Sequence, residues 1–154
     1  MSPELNKRLC ARYPESTKNY GAGSHVSAMH HGFTCGDGWY GILDAMLGSI
    51  ARYQKARHDA YEYARLHPVE WLSQRRRMGL PVEFPPLPEP FVLDQVKEKF
   101  GLLRVYYSGG DDYCRGVVAM AECMSGETCE ECGRAGTITE DGWVKVRCLE
   151  HAEG

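Results

Sequence analysis

Residues 129–151 read CEECGRAGTITEDGWVKVRCLEH. Cys129 and Cys132 form a Cys-x-x-Cys pair, and Cys148 with His151 forms a Cys-x-x-His pair after fifteen intervening residues. Two thiolates two residues apart reach one ion when a tight turn brings both sulfurs to the same side. A second pair on the return arm of a hairpin completes a tetrahedron that suits Zn2+, with Zn–S near ~2.3 Å and Zn–N near ~2.1 Å. Gly133 and Gly136 permit the tight backbone after the first pair. Residues 137–139 read as a short strand, Glu140, Asp141 and Gly142 as a turn, and residues 143–146 as a returning strand of alternating character. The expectation is a zinc-ribbon-like hairpin over residues 126–154, with Cys129, Cys132, Cys148 and His151 as ligands. All four positions are protein side chains, so the expected ion is structural, because a catalytic zinc keeps one position for water. The competing readings are a metal-free hairpin or a disulfide framework, with Cys123 as an alternative ligand.

Working outward, 154 residues suffice for one core plus a small appendage. No apolar run is long enough for a membrane span, and MSPELNKRLC lacks the apolar segment of a secretory signal. Seven cysteines, three of them assigned to the ion, fit a reducing cytoplasm better than a disulfide scaffold. A net charge of −3 weighs against non-specific nucleic-acid binding. The C-terminal segment sets Glu127, Glu130, Glu131, Glu140, Asp141, Glu150 and Glu153 against Arg134, Lys145 and Arg147, a balance better suited to a protein partner than to phosphates.

Upstream of this segment, residues 1–125 are expected to form an α+β domain on which the hairpin docks. Tyr13 and Pro14 end a short first helix, and residues 21–31 read as loop with a short helical turn. His30, His31, Cys35 and Asp37 gather four potential ligands in that region. They read as ordinary loop residues, with a second metal or catalytic cluster as the sharper alternative. Asp37 is expected to cap a main helix whose stripe is Ile42, Leu43, Met46, Leu47, Ile50 and Tyr53, continuing through residue 66. Pro68 stops that helix or opens another, with Trp71, Leu72 and Met78 on its apolar face. Arg75, Arg76 and Arg77 form the one dense basic run, explained by a solvated helix end or by a nucleic-acid or acidic-partner contact. Gly79 ends the helix.

Residues 80–91, LPVEFPPLPEPF, hold five prolines and predict an extended connector packed by Phe84 and Phe91. Residues 102–107 predict a strand. Gly109 and Gly110 break it, and Asp112 caps a helix with Tyr113, Val117, Met120, Ala121 and Met124 on one face. A strand, a Gly-Gly turn and a helix start can hold an anion, although Asp111 and Asp112 already bring negative charge there.

Three blocks together, GDGWYGILD (36–44), QVKEKFGLLRVYYSGGDD (95–112) and RGVVAMAECMSGETCEECG (115–133), resemble a family of small, largely uncharacterised bacteriophage and prophage proteins. The resemblance implies a host-cytoplasm location and brings no activity or catalytic residues. Residues 51–91 depart from that family's pattern.

The reading that follows is an α+β fold of helices on a small sheet, closed by the zinc-bearing hairpin. The expected function is a non-enzymatic accessory role through a protein partner, such as a host or defence component. One opposing reading is an enzyme or nucleotide binder using the His30/His31/Cys35/Asp37 loop or the Gly109 and Gly110 turn. The other is a nucleic-acid binder using Arg75, Arg76 and Arg77.

Overall fold

The computed structural model describes residues 1–23, 25–139 and 142–152. Its elements are α1 (Pro3–Arg12), β1 (Phe33–Thr34), α2 (Tyr40–Leu66), α3 (Pro68–Arg77), β2 (Val92–Lys99), β3 (Leu102–Ser108), α4 (Asp112–Ser125), β4 (Thr137–Ile138), β5 (Val146–Arg147) and α5 (Leu149–Ala152). The mixture of helix and sheet is α+β, as expected. In the larger sheet β2 lies between β1, which runs parallel to it, and β3, its antiparallel hairpin partner. β4 and β5 form a separate antiparallel pair.

The apolar stripe of α2 organises the core. Ile42, Leu43, Met46, Leu47 and Ile50 are buried against Leu9 of α1, Phe33 of β1, and Leu93, Val96, Leu103 and Val105 of the sheet. Tyr53 is half-buried and stacks on Tyr113, with ring centroids 4.1 Å apart. Pro68 opens α3 directly after α2, and Gly79, at φ +67°, ends it with Leu80 N–H donating to the Arg75 carbonyl.

The buried face of α4 overlaps the expected one only in part, at Ala121 with Val117 packed against the core beside it. Cys114, Val118, Ala121 and Ser125 point inward, whereas Tyr113, Met120 and Met124 are exposed. The reason lies at the outer edge of β3. Leu103 N–H donates to Ser125 Oγ at 2.9 Å and Val105 N–H to Glu122 Oε1 at 2.8 Å. These bonds close an edge that would otherwise present unpaired donors, and they turn the helix by about one position. Its cap also differs: Asp111, not Asp112, accepts from Tyr113 N–H at 3.1 Å and Cys114 N–H at 3.4 Å.

The connector (residues 80–91) contains neither helix nor strand before Val92, as its prolines require. Side chains hold its carbonyls: Trp71 Nε1 donates to Glu83 O at 3.0 Å, and Gln54 Nε2 to Glu89 O at 2.8 Å. Phe91 is buried, but Phe84 is not, and α3 buries none of Trp71, Leu72 or Met78.

Candidate metal centre

Four ligand atoms meet at the C-terminal end. One atom each from Cys129, Cys132, Cys148 and His151 lies within 4.8 Å of the other three. Cys132 Sγ is 3.7 Å from Cys148 Sγ, and His151 Nδ1 is 3.5 Å from Cys129 Sγ and 3.3 Å from Cys148 Sγ. For a tetrahedral zinc with these donors, the edges are about 3.8 Å between sulfurs and about 3.6 Å between sulfur and nitrogen. The observed separations fit that figure. They are far longer than a disulfide bond, and all seven cysteines are free thiols. Cys123 lies exposed on α4 and is not part of the cluster.

The local chain explains the convergence. Gly133, at φ +77°, allows the turn after the first pair, and its N–H donates to the Cys129 carbonyl at 2.9 Å. The second pair sits where β5 runs into α5, and His151 N–H donates to the Cys148 carbonyl at 3.0 Å. Between the pairs, β4 and β5 hold residues 137–138 against 146–147. The expected return strand is therefore shorter than residues 143–146 and shifted toward the second ligand pair. Glu140 and Asp141 of the expected turn lie outside the described residues.

Two of the three thiols are shifted toward thiolate. Burial alone would raise the Cys129 thiol, but N–H groups of Cys148, Cys132 and Glu131 directed at its sulfur outweigh this and bring it down to about 7. The Arg134 guanidinium, with Nε 3.4 Å from Cys132 Sγ, lowers Cys132. Burial raises Cys148. Arg134 also forms a bidentate ion pair with Glu150, which orients it over the sulfur. A soft, electron-rich set of three sulfurs and one imidazole nitrogen suits Zn2+ or another thiophilic ion.

Two features of this centre escape the sequence reading. Glu130, between the first two cysteines, is buried: its Oε1 accepts from Gly36 N–H at 2.8 Å, and its Oε2 faces Arg147 at 3.5 Å. The GDGW stretch, read as a helix start, grips the same turn. Gly38 N–H donates to the Glu130 carbonyl at 2.8 Å, and Trp39 Nε1 donates to the Thr128 carbonyl at 2.8 Å. A Cβ on Gly38 would overlap the Cys129 carbonyl oxygen and the Gly133 nitrogen, and would stand 2.7 Å from the Cys132 nitrogen. Asp37 does not cap α2. Its Oδ1 accepts from Ser2 N–H at 2.6 Å, tying the first helix to the clasp. Two glycines flanking an aspartate directly before a tryptophan are the signal, since such spacing serves close backbone approach as well as turning.

The other sequence-derived candidates do not converge. His30 Nδ1 lies 2.8 Å from the Ser27 carbonyl and its ring packs on His31. Cys35 is buried, which pushes its thiol up to about 12 and away from a nucleophilic thiolate. Among the described residues these groups form no metal-binding cluster. At the Gly109 and Gly110 turn, Gly110 N–H donates to the Glu89 carbonyl at 3.3 Å, and the Asp111 carboxylate caps α4. The turn thus packs under the connector, with its helix start already satisfied. Arg75 donates through Nε to the Pro81 carbonyl at 2.5 Å and lies over the Trp71 ring. No described helix is long and apolar enough to cross a membrane.

Comparison of the chain with protein-family models, with curated proteins and with solved structures returns no match.

Proposed function

We propose that this chain is a non-enzymatic accessory protein of bacteriophage type. In this reading its C-terminal segment is a zinc-ribbon-like module with a structural Zn2+, and it acts in the host cytoplasm by binding a protein partner, such as a host or anti-phage defence component. The observation that carries the reading is the closed donor set. Cys129, Cys132, Cys148 and His151 supply four donor atoms within 4.8 Å of one another, three of whose separations match tetrahedral edges, so in this reading each vertex of the ion is a protein atom and none is left for water. Such an ion shapes a surface and activates no substrate. The free thiols suit a reducing compartment. The acidic balance of the C-terminal segment suits a protein better than a phosphate backbone. The resemblance of the GDGW, KEKFG and Cys-x-x-Cys blocks to phage proteins supplies the biological setting.

Two measurements test the reading. Elemental analysis of purified protein should find one zinc per chain, and Cys129→Ser should retain well under one. Affinity capture from bacterial cells, followed by mass spectrometry, should recover a specific protein that the metal-free form fails to hold. Protein that is fully folded without zinc, or capture that returns only background, overturns it.

A further inference from the structure

The converging side chains at the C-terminal end are not equally sheltered. Cys129 and Cys148 are buried, whereas Cys132 is exposed. Cys129 Sγ is also the sulfur at which the N–H groups of Cys148, Cys132 and Glu131 are directed. Hydrogen bonds of that kind occupy the lone pairs that an attack needs. Cys132 Sγ has a cation beside it: Arg134 Nε stands 3.4 Å away, and the ion pair with Glu150 keeps the guanidinium in place.

Cys148 Sγ lies 3.7 Å from Cys132 Sγ and belongs to the opposite arm of the hairpin. A sulfur–sulfur bond is about 2.05 Å long, so the two atoms are near bonding distance while still apart. Thiols that respond to oxidants are solvent-accessible and have a resolving thiol beside them. Cys132 and Cys148 meet both conditions. Cys35 and Cys114 are buried, and Cys123 is exposed but lies outside the cluster.

We propose that the centre is a peroxide-sensitive clasp, in which Cys132 is the attacking sulfur and Cys148 the resolving one. This names a regulation of the site read above as structural zinc, and it rests on that reading. The Cys132 sulfur attacks one oxygen of hydrogen peroxide. An S–O bond forms as the O–O bond breaks, and the departing hydroxide takes up a proton to become water. Cys132 is then a sulfenic acid, oxidised by two electrons, and the peroxide is reduced by the same two. The Cys148 thiolate next attacks that sulfur. An S–S bond forms, the S–O bond breaks, and a second hydroxide leaves and is protonated to water. With two of the four donors joined to each other, only Cys129 and His151 remain for the ion, too few for a closed tetrahedral site. The new bond still ties the hairpin arms together, so a thiol reductant and Zn2+ restore the starting state.

The test uses the full, zinc-loaded chain, with its zinc content established first by elemental analysis. A small molar excess of hydrogen peroxide should release one zinc per chain, read with a chromogenic chelator. Peptide mass mapping should find Cys132 joined to Cys148, and dithiothreitol with added zinc should reverse both changes. Cys123→Ser should leave the rate of release unchanged. Cys132→His keeps four donors without the exposed sulfur, and should slow release by about tenfold or more. Zinc held through peroxide treatment, a main linkage between Cys129 and Cys132, Cys132 carried on to sulfinic acid, or equal release from Cys132→His each overturns the proposal. Should Cys132→His fail to take up zinc, the mass map of the natural chain decides. Absence of zinc from the purified protein removes the structural-ion reading and this regulation together, whereas bound zinc that is indifferent to peroxide removes the regulation alone.

Discussion

At the scale of single residues, Gly38 decides more than its size suggests. Its missing side chain lets the backbone of residues 129–133 lie against the start of α2, with the Cys132 nitrogen 2.7 Å from where a Cβ would stand. Backbone on both sides cannot move aside as a flexible side chain would. Gly38→Ala should therefore destabilise the protein by about 2 kcal/mol or more and reduce zinc retention, as overpacking does in closely packed interiors. Gly41, three residues on, is the internal control. A Cβ there meets nothing within 4 Å, and the residue lies in the first turn of α2. Gly41→Ala should be neutral or stabilising by up to about 1 kcal/mol. Denaturant titration of the two variants, with zinc measured in parallel, checks both.

At the scale of elements, the start of α4 and the tip of the β2–β3 hairpin give opposite lessons. Asp111 holds two N–H groups of α4 and accepts from the Tyr53 hydroxyl at 2.6 Å. Burial would raise its carboxyl, but the Tyr53, Cys114 and Tyr113 hydrogen bonds outweigh this and hold it below its ordinary value of 3.8. A carboxylate depressed by folding contributes stability above its unfolded pKa and loses it as pH falls through the folded value. Asp111→Ala should cost about 1 kcal/mol at neutral pH, with the difference fading well below pH 3.8. Asp112→Ala should stay within about 0.5 kcal/mol, since its partner Arg115 is a solvated ion pair at 3.1 Å. Denaturation of both variants across pH separates them. At the hairpin tip, Phe100 has φ +54° and is followed by Gly101 at φ +76°. That pair of angles is a type I′ turn, which favours Asn-Gly, and a bulky residue is strained at the first position. Phe100 is 70% exposed, so no burial offsets the strain. Phe100→Asn should raise the thermal midpoint, equivalent to roughly 1 kcal/mol.

The α2 stripe was legible because its apolar residues recur at helical spacing and are buried from Ile42 to Ile50. The α4 face was not, because Tyr113, Met120 and Met124 are larger apolar side chains than Cys114 and Ser125 and offer more surface to bury. The choice between faces was made instead by two polar bonds from Ser125 and Glu122 to the edge of β3. The clustering of Cys129, Cys132, Cys148 and His151 was legible because thiolate chemistry fixes the spacing such a set needs. The buried Glu130 beside them was not, since only its distant partners, Gly36 and Arg147, account for its burial.

At the scale of the whole molecule, the cluster and the core are joined through the GDGW clasp. If the cluster holds the proposed zinc, removing it with a strong chelator should unfold the small β4–β5 pair, which is too short to stand alone. Amide exchange should then speed up at Gly38, whose N–H bond to the Glu130 carbonyl spans the junction, and at Glu130, whose N–H donates to the Val146 carbonyl, while the buried Leu93 and Leu103, with N–H groups held by the Ser16 carbonyl and Ser125 Oγ, stay protected. Uniform loss of protection, or none, would contradict that division of stability.

The clasp has a further consequence for inheritance. Because the backbone around residue 130 fits only against bare glycine backbone nearly a hundred positions upstream, neither piece can be exchanged alone. A chimera that took residues 126–152 from another chain would inherit a misfitting socket unless it brought the matching 36–39 segment along. The two stretches are thus one unit of recombination, divided in the text of the gene yet contiguous in the folded protein.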